Sequence, residues 1–154
     1  MNIYKPILAV GSIALDTLET VNGNRDEILG GSATYFAAAA GLLAPVKLVG
    51  VVGNDFPKEG WDLFQSRSIN IDNVLRQDGA TFRWGGRYSS DYSTRDTLFT
   101  ELGVFENFQP EIKEGDKSTP LVFLGSIQPD LQSAVAHETP AAEYIVMDTM
   151  NLWI

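Results

Sequence analysis

Asp16 lies a few residues past Gly11, the glycine that closes the apolar run Ile7-Leu-Ala-Val. Ligands of open parallel sheets sit beyond the carboxyl ends of the strands. A carboxylate there can accept hydrogen bonds from two neighbouring hydroxyls, as a sugar presents. The same residue also fits a solvated turn. Gly30-Gly31-Ser32 precedes an alanine-rich stretch. Two glycines let a ligand approach the backbone, and a helix start offers free N–H donors. A plain loop with an N-cap serine produces the same pattern. The pair is neither G-x-G-x-x-G nor G-x-x-x-x-G-K-[ST], so a dinucleotide fold and a P-loop are both poorly supported. Gly53-Asn54-Asp55 reads best as a turn whose aspartate caps the next helix. Asp148-Thr-Met-Asn151 sets a carboxylate and an amide at a strand end, where they could hold hydrated magnesium or a phosphate, or simply meet solvent. His137, the only histidine, sits beside Glu138 and joins no Ser/His/Asp set and no metal cluster.

The elements that must position these groups are legible as apolar runs and breaks. Ile7–Leu15 reads as a strand rather than a signal-peptide core, since only Lys5 precedes it, no cleavage pattern follows and Asp16 closes it. Within it, Ile7 to Gly11 has the continuous apolar character of a strand buried on both faces. Ala33–Leu43 reads as a helix stopped by Pro45, Val46–Val52 as a second buried strand, and Lys58–Ser66 as a short helix with Trp61 and Phe64 or Gln65 at helical spacing. Thr81–Tyr88 and Thr97–Leu102 alternate apolar and polar residues and read as antiparallel strands with one wet face, joined by a polar connector from Asp91 to Asp96. Phe82, Trp84, Tyr88, Tyr92, Phe99 and Phe105 crowd this insert, either packing it onto its neighbour or forming an apolar lid. Glu111–Thr119 is a charged loop. Leu121 to Gly125 is a strand, Pro129–Glu138 a helix with Leu131, Ala134 and Val135 on one face, and Tyr144–Met147 a last strand. The order predicts a doubly wound α/β layer with a β appendage. A buried parallel strand normally needs a following helix to cover it, so the chain reads as cut short after its last strand.

The 154 residues fit one domain, and a chain of this length can bury a real core. The formal net charge of −9 argues against a nucleic-acid backbone or an anionic membrane as partner. No stretch is long and apolar enough to span a bilayer. The sequence contains no cysteine, which removes disulfides, iron–sulfur clusters and thiol nucleophiles and fits a reducing, cytoplasmic setting.

Taken together, Val10-Gly-Ser-Ile-Ala-Leu-Asp16, Gly30-Gly-Ser-Ala-Thr-Tyr-Phe-Ala37 and Val49-Gly-Val-Val-Gly-Asn-Asp-Phe56 resemble the N-terminal half of the ribokinase (PfkB) family of carbohydrate and nucleoside kinases. The resemblance covers nearly the whole chain. It implies a ribokinase-like, doubly wound, mainly parallel sheet with a small β lid insert around residues 74–105, so that residues 1–154 form the N-terminal part of a kinase domain truncated before its C-terminal half. It implies Asp16, Gly30, Gly31, Tyr35 and Gly125 as substrate-binding positions, a sugar or nucleoside as the small-molecule partner, ATP and Mg as cofactors of the full-length protein, and a homodimer through the lid. Leu121-Val-Phe-Leu-Gly-Ser126 is similar to the strand flanking the substrate pocket, and Asp148-Thr-Met-Asn151 to the family's D-x-N strand end. Two departures stand out. The family usually has asparagine where this chain has Tyr35, whose phenol could donate one hydrogen bond or stack on a ring. No G-A-G-D, the family's anion hole and catalytic base, occurs in the sequence. The resemblance therefore implies phosphotransfer from ATP to a hydroxyl in the full-length protein, with this chain alone inactive. A non-catalytic module that binds a small polyol or nucleoside, and an interaction protein that pairs through the insert, are the alternatives.

Overall fold

The computed structural model describes residues 4–149. Along the chain come β1 (Ile7–Val10), β2 (Ala14–Thr20), β3 (Gly23–Gly30), α1 (Ser32–Ala40), β4 (Val46–Val52), α2 (Lys58–Ser66), β5 (Asn70–Arg76), β6 (Phe82–Tyr88), β7 (Arg95–Glu101), β8 (Leu121–Leu124), α3 (Pro129–Glu138) and β9 (Tyr144–Met147). Five strands form an all-parallel sheet in the order β5-β4-β1-β8-β9. The apolar runs at Ile7, Val46 and Leu121 are its three central strands, as their composition predicts, and Leu8, Ala9, Val10, Leu48, Val49, Val51 and Val52 are fully shielded. Each leucine and valine among them contributes roughly 1.5–3 kcal/mol of burial. One face packs Ala33 and Ala37 of α1 and Phe64 of α2. The other packs Val104 and Phe105 of a 3₁₀ turn, Phe108 just after it, and Val135 of α3. Helical layers on both faces make the sheet doubly wound.

The second sheet has four strands in the order β3-β2-β6-β7 and departs from the sequence reading in several ways. The strand read over Ile7–Leu15 breaks after Val10. Ile13 stays in the core, and Ala14 starts β2, which leaves the first sheet for the second. β2 and β3 are half of this sheet, although beyond Leu15 the sequence reading assigns residues 16–29 to no element. β6 and β7 pair antiparallel as their alternation predicts, while β2 pairs with β6 in parallel, so the sheet is mixed. Residues 74–76, placed at the start of the insert, belong to β5 at the edge of the main sheet. β5 escaped notice because Asn70, Asp72 and Asn73 interrupt its pattern. Asn73 is buried nonetheless, its amide donating to Asp116 at 2.7 Å and its oxygen accepting from the Lys113 N–H at 3.0 Å. The helix read over Ala33–Leu43 ends at Ala40, with Gly41 following. No helix among the described residues is long and apolar enough to cross a membrane.

Asp55 does not cap α2, whose N-cap is Pro57 without a side-chain hydrogen bond. It instead accepts from the Thr81 amide and hydroxyl, both at 2.7 Å, and meets Arg83 at 2.8 Å. Arg83 also reaches Glu27 on β3 at 2.8 Å. This chain of contacts fastens the turn after β4 to the root of the second sheet. Asp55 is thus a structural anchor, and a residue with no local partner in sequence.

Candidate functional site

The carboxyl ends of β1 and β8 meet the start of α1 beneath the second sheet. Close approach there is enforced by glycine. The Gly125 N–H donates to the Val10 carbonyl at 2.7 Å, and a Cβ on Gly125 would lie 2.5 Å from the Ser32 hydroxyl. Gly31 caps α1 with φ +93, a conformation that side chains disfavour, and a Cβ there would overlap the Ser12 carbonyl.

The helix start is not an open anion site as its glycines suggest. Ser12 takes two of its donors: the Ser32 N–H reaches the Ser12 hydroxyl and the Ala33 N–H the Ser12 carbonyl, each at 3.0 Å. The Ser12 and Ser32 hydroxyls lie 3.2 Å apart. Ser12 carried no signal in sequence, since a serine after a strand is commonplace. Its role follows only from the return of the chain past Gly30.

Asp16 sits half-buried on β2, its carboxylate against the Cα of Gly30 in the space a side chain there would fill. Removal from water pushes its pKa up to about 6. Tyr35, 58 % exposed, stands in the first turns of α1. Helical side chains lean toward the N-terminus, which carries the phenol toward this corner. Partial burial, then the Asp16 carboxylate and then the Tyr88 phenol, raise its pKa above the ordinary value. The structure therefore brings Asp16, Gly30, Gly31 and Tyr35 into one corner. Gly125 lies against Ser32 at its floor, with its carbonyl accepting from Gln132 at 2.8 Å.

The aromatic residues of the insert divide by face. Asp16 is the register partner of Trp84, and partners on adjacent strands point the same way. By alternation Trp84, Gly86 and Tyr88 share that face. The Trp84 ring lies over Gly86, where a Cβ would clash with it, and Arg95 stands 5.6 Å above the ring. Tyr88 has Tyr92 at 6.1 Å, whose hydroxyl accepts from Asn22 at 2.8 Å. Phe99 covers Gly85 on the opposite face. Phe82 and Phe105, with centroids 5.3 Å apart, belong to the main core.

His137 lies on α3 with its Nδ1 2.7 Å from the Ser133 carbonyl, away from this corner. Asp148 follows β9, its carbonyl held by Gln132 at 3.0 Å, while Asn151 lies outside the described residues. No group of three His, Asp or Glu residues that could hold a metal occurs among the described residues.

No protein-family model matches the chain. Over 87 residues it is 31% identical to the cytidine kinase of Thermococcus kodakarensis, a stretch covering 48% of this chain and 31% of that protein. Among solved structures, Arabidopsis thaliana ribokinase complexed with ribose and ATP superposes with TM-score 0.69 at 20% identity, covering 95% of this chain and 54% of that one. A Burkholderia thailandensis nucleoside kinase in complex with inosine gives 0.69 at 19%, covering 92% and 50%. An E. coli protein in complex with ATP and Mg gives 0.71 at 11%, covering 95% and 52%. The chain has the ribokinase-like fold, in agreement with the resemblance read from its motifs, and it spans about half the length of these structures.

Proposed function

We propose that this chain is the acceptor-binding half of a kinase that transfers a phosphoryl group from ATP, with Mg, to a hydroxyl of a sugar, nucleoside or similar small molecule. One observation carries the reading. A partly desolvated carboxylate, Asp16, stands on β2 against Gly30 of the paired β3, where the chain has just left the carboxyl end of β1 for the second sheet. Such a group accepts hydrogen bonds from two adjacent hydroxyls at once, and charged hydrogen bonds contribute roughly 1.5–3 kcal/mol each. Tyr35 supplies a phenol beside it, while Gly30, Gly31 and Gly125 let Asp16, Ser12 and Ser32 close in to form the floor. The four-stranded sheet acts as the lid, and its open edges at β3 and β7 suit a homodimer contact. The cysteine-free sequence suits a cytoplasmic enzyme.

The phosphoryl donor and the general base lie outside this division of labour. Acceptor binding and its loss in Asp16→Ala, followed by calorimetric titration beside thermal melting, test the proposal. It fails if affinity is unchanged in that variant. Steady ATP turnover by the 154 residues alone would overturn the separation of binding from chemistry.

A further inference from the structure

We infer that Asn22, at the tip of the β2–β3 hairpin, is a site of spontaneous modification: it closes to a succinimide with Gly23 and opens to an aspartyl or isoaspartyl residue, at a rate that Tyr92 restrains. The inference does not depend on the acceptor reading.

The chemistry is internal to the chain and needs only water. The Gly23 amide nitrogen attacks the side-chain carbonyl carbon of Asn22. A new N–C bond forms, the bond from that carbon to Nδ2 breaks, and the Gly23 amide proton leaves with Nδ2 as ammonia. Water then opens the cyclic imide at either carbonyl. Opening at the former side-chain carbon restores the backbone and leaves an aspartyl carboxylate. Opening at the main-chain carbon routes the backbone through the side chain, as isoaspartate. Nothing is oxidised or reduced.

Ring closure needs an unhindered residue after the asparagine. Asn22 is the one asparagine of the sequence followed by glycine. It is exposed, and nothing stands within 4 Å of where a Cβ on Gly23 would lie. Gly23 has φ +114, and glycine changes such a conformation at little steric cost. Asp78-Gly79 is a pair of related chemistry that the fold holds shut. The Asn54 N–H donates to the Gly79 carbonyl at 3.0 Å, the Asn54 side-chain amide donates to Asp78 at 2.6 Å, and a Cβ on Gly79 would lie 3.1 Å from Val104.

One contact opposes closure at Asn22. β2 and β6 run parallel, so the turns that follow them share one end of the second sheet. There the Asn22 side-chain amide donates to the Tyr92 hydroxyl at 2.8 Å. This bond turns the amide toward the neighbouring hairpin and away from the peptide nitrogen that must attack it. Tyr92 is itself fixed. Its N–H donates to the Ser89 carbonyl at 3.0 Å, its ring meets Tyr88, and the preceding Asp91 accepts from the Ser89 and Ser93 hydroxyls. Closure expels the Nδ2 donor, so the modification unties the two hairpin tips.

Peptide mapping by mass spectrometry of the full chain, aged in mildly alkaline buffer, tests this with wild type, Tyr92→Phe and Asn22→Gln. Melting curves check that each variant is folded, and a denatured wild-type sample gives the unrestrained rate. The expected result is loss of ammonia at residue 22 of the folded wild type, a mixture of aspartyl and isoaspartyl peptides, and no such conversion in Asn22→Gln. Tyr92→Phe keeps the ring but removes the acceptor, and conversion speeds up roughly 2- to 10-fold, the range of one neutral hydrogen bond. An Asn22 that keeps its amide in the folded protein while converting in the denatured sample overturns the site. Conversion no faster in Tyr92→Phe than in wild type overturns the restraint, and aspartate without isoaspartate overturns the succinimide route.

Discussion

The carboxylate of Asp16 fills the space that a side chain on Gly30 would occupy. The two residues sit near each other on paired strands, Asp16 opposite Ile28 and Gly30 opposite Ala14. The glycine is therefore a condition for the carboxylate's position. Gly30→Ala is expected to displace Asp16 and to destabilise the fold by roughly 1–3 kcal/mol, as overpacking does. Combining it with Asp16→Ala should recover much of that loss, because the clash is removed, while acceptor binding stays absent. Chemical denaturation and ligand titration of the two single variants and the double variant would measure this coupling.

Asp16 also sets a pH dependence. Its folded-state pKa is raised from 3.8 to about 6, so the native state holds a proton that the unfolded chain has lost between those values. Its contribution to stability is complete below pH 3.8 and disappears as pH rises through about 6. Asp16→Asn should flatten that part of the stability profile. Ligand binding should run the opposite way, strengthening from pH 5 to pH 7 as the carboxylate ionises. Melting and titration across this range read the two trends separately.

Asp55 gives the contrasting case. Burial raises its pKa, but hydrogen bonds from the Thr81 hydroxyl and amide and the Arg83 guanidinium outweigh this and hold it below the ordinary value. Its stabilisation is present above the unfolded-state pKa and fades as acid protonates the folded carboxylate. Asp55→Ala leaves the Thr81 N–H without its partner in a residue with no exposed surface. A loss of roughly 1–3 kcal/mol is expected. Urea unfolding at neutral pH checks the magnitude, and an unaltered midpoint would contradict the anchoring role.

Association through the second sheet should depend on Val21 and Leu98, which are 60% and 39% exposed. Phe82 is unsuited to such a test, since it packs in the main core. Val21→Lys with Leu98→Lys should lower the apparent mass in light scattering at micromolar concentration without changing the melting temperature. A wild-type protein that stays monomeric throughout that range would remove the dimer from the proposal.

The main sheet was legible because burial on both faces leaves no room for polar residues, so β1, β4 and β8 announce themselves as runs. β2 and β3 hid for the opposite reason. Asp16-Thr-Leu-Glu-Thr20 and Gly23-Asn-Arg-Asp-Glu27 are largely wet, with Glu27 in a left-handed conformation at an irregularity in the pairing. Asp16 was found from its place after a strand, and Tyr35 from its motif. The facing of Trp84 and Tyr88 was not readable, because six aromatic residues in one insert look alike until register assigns each a side. The Asp55 anchor joins residues 27, 55, 81 and 83, a separation that no local pattern encodes.

The position of β1 at the middle of the main sheet bears on how the protein is made. Its partner on one side begins at Val46 and on the other at Leu121. A chain emerging from the ribosome can close the first edge early, but the second stays open until the whole second sheet has been synthesised. An apolar strand with an unpaired edge invites pairing with other chains, and such distant pairing is slow. The interval before Leu121 emerges is thus the stage at which the nascent protein is most exposed to aggregation and has most to gain from a chaperone.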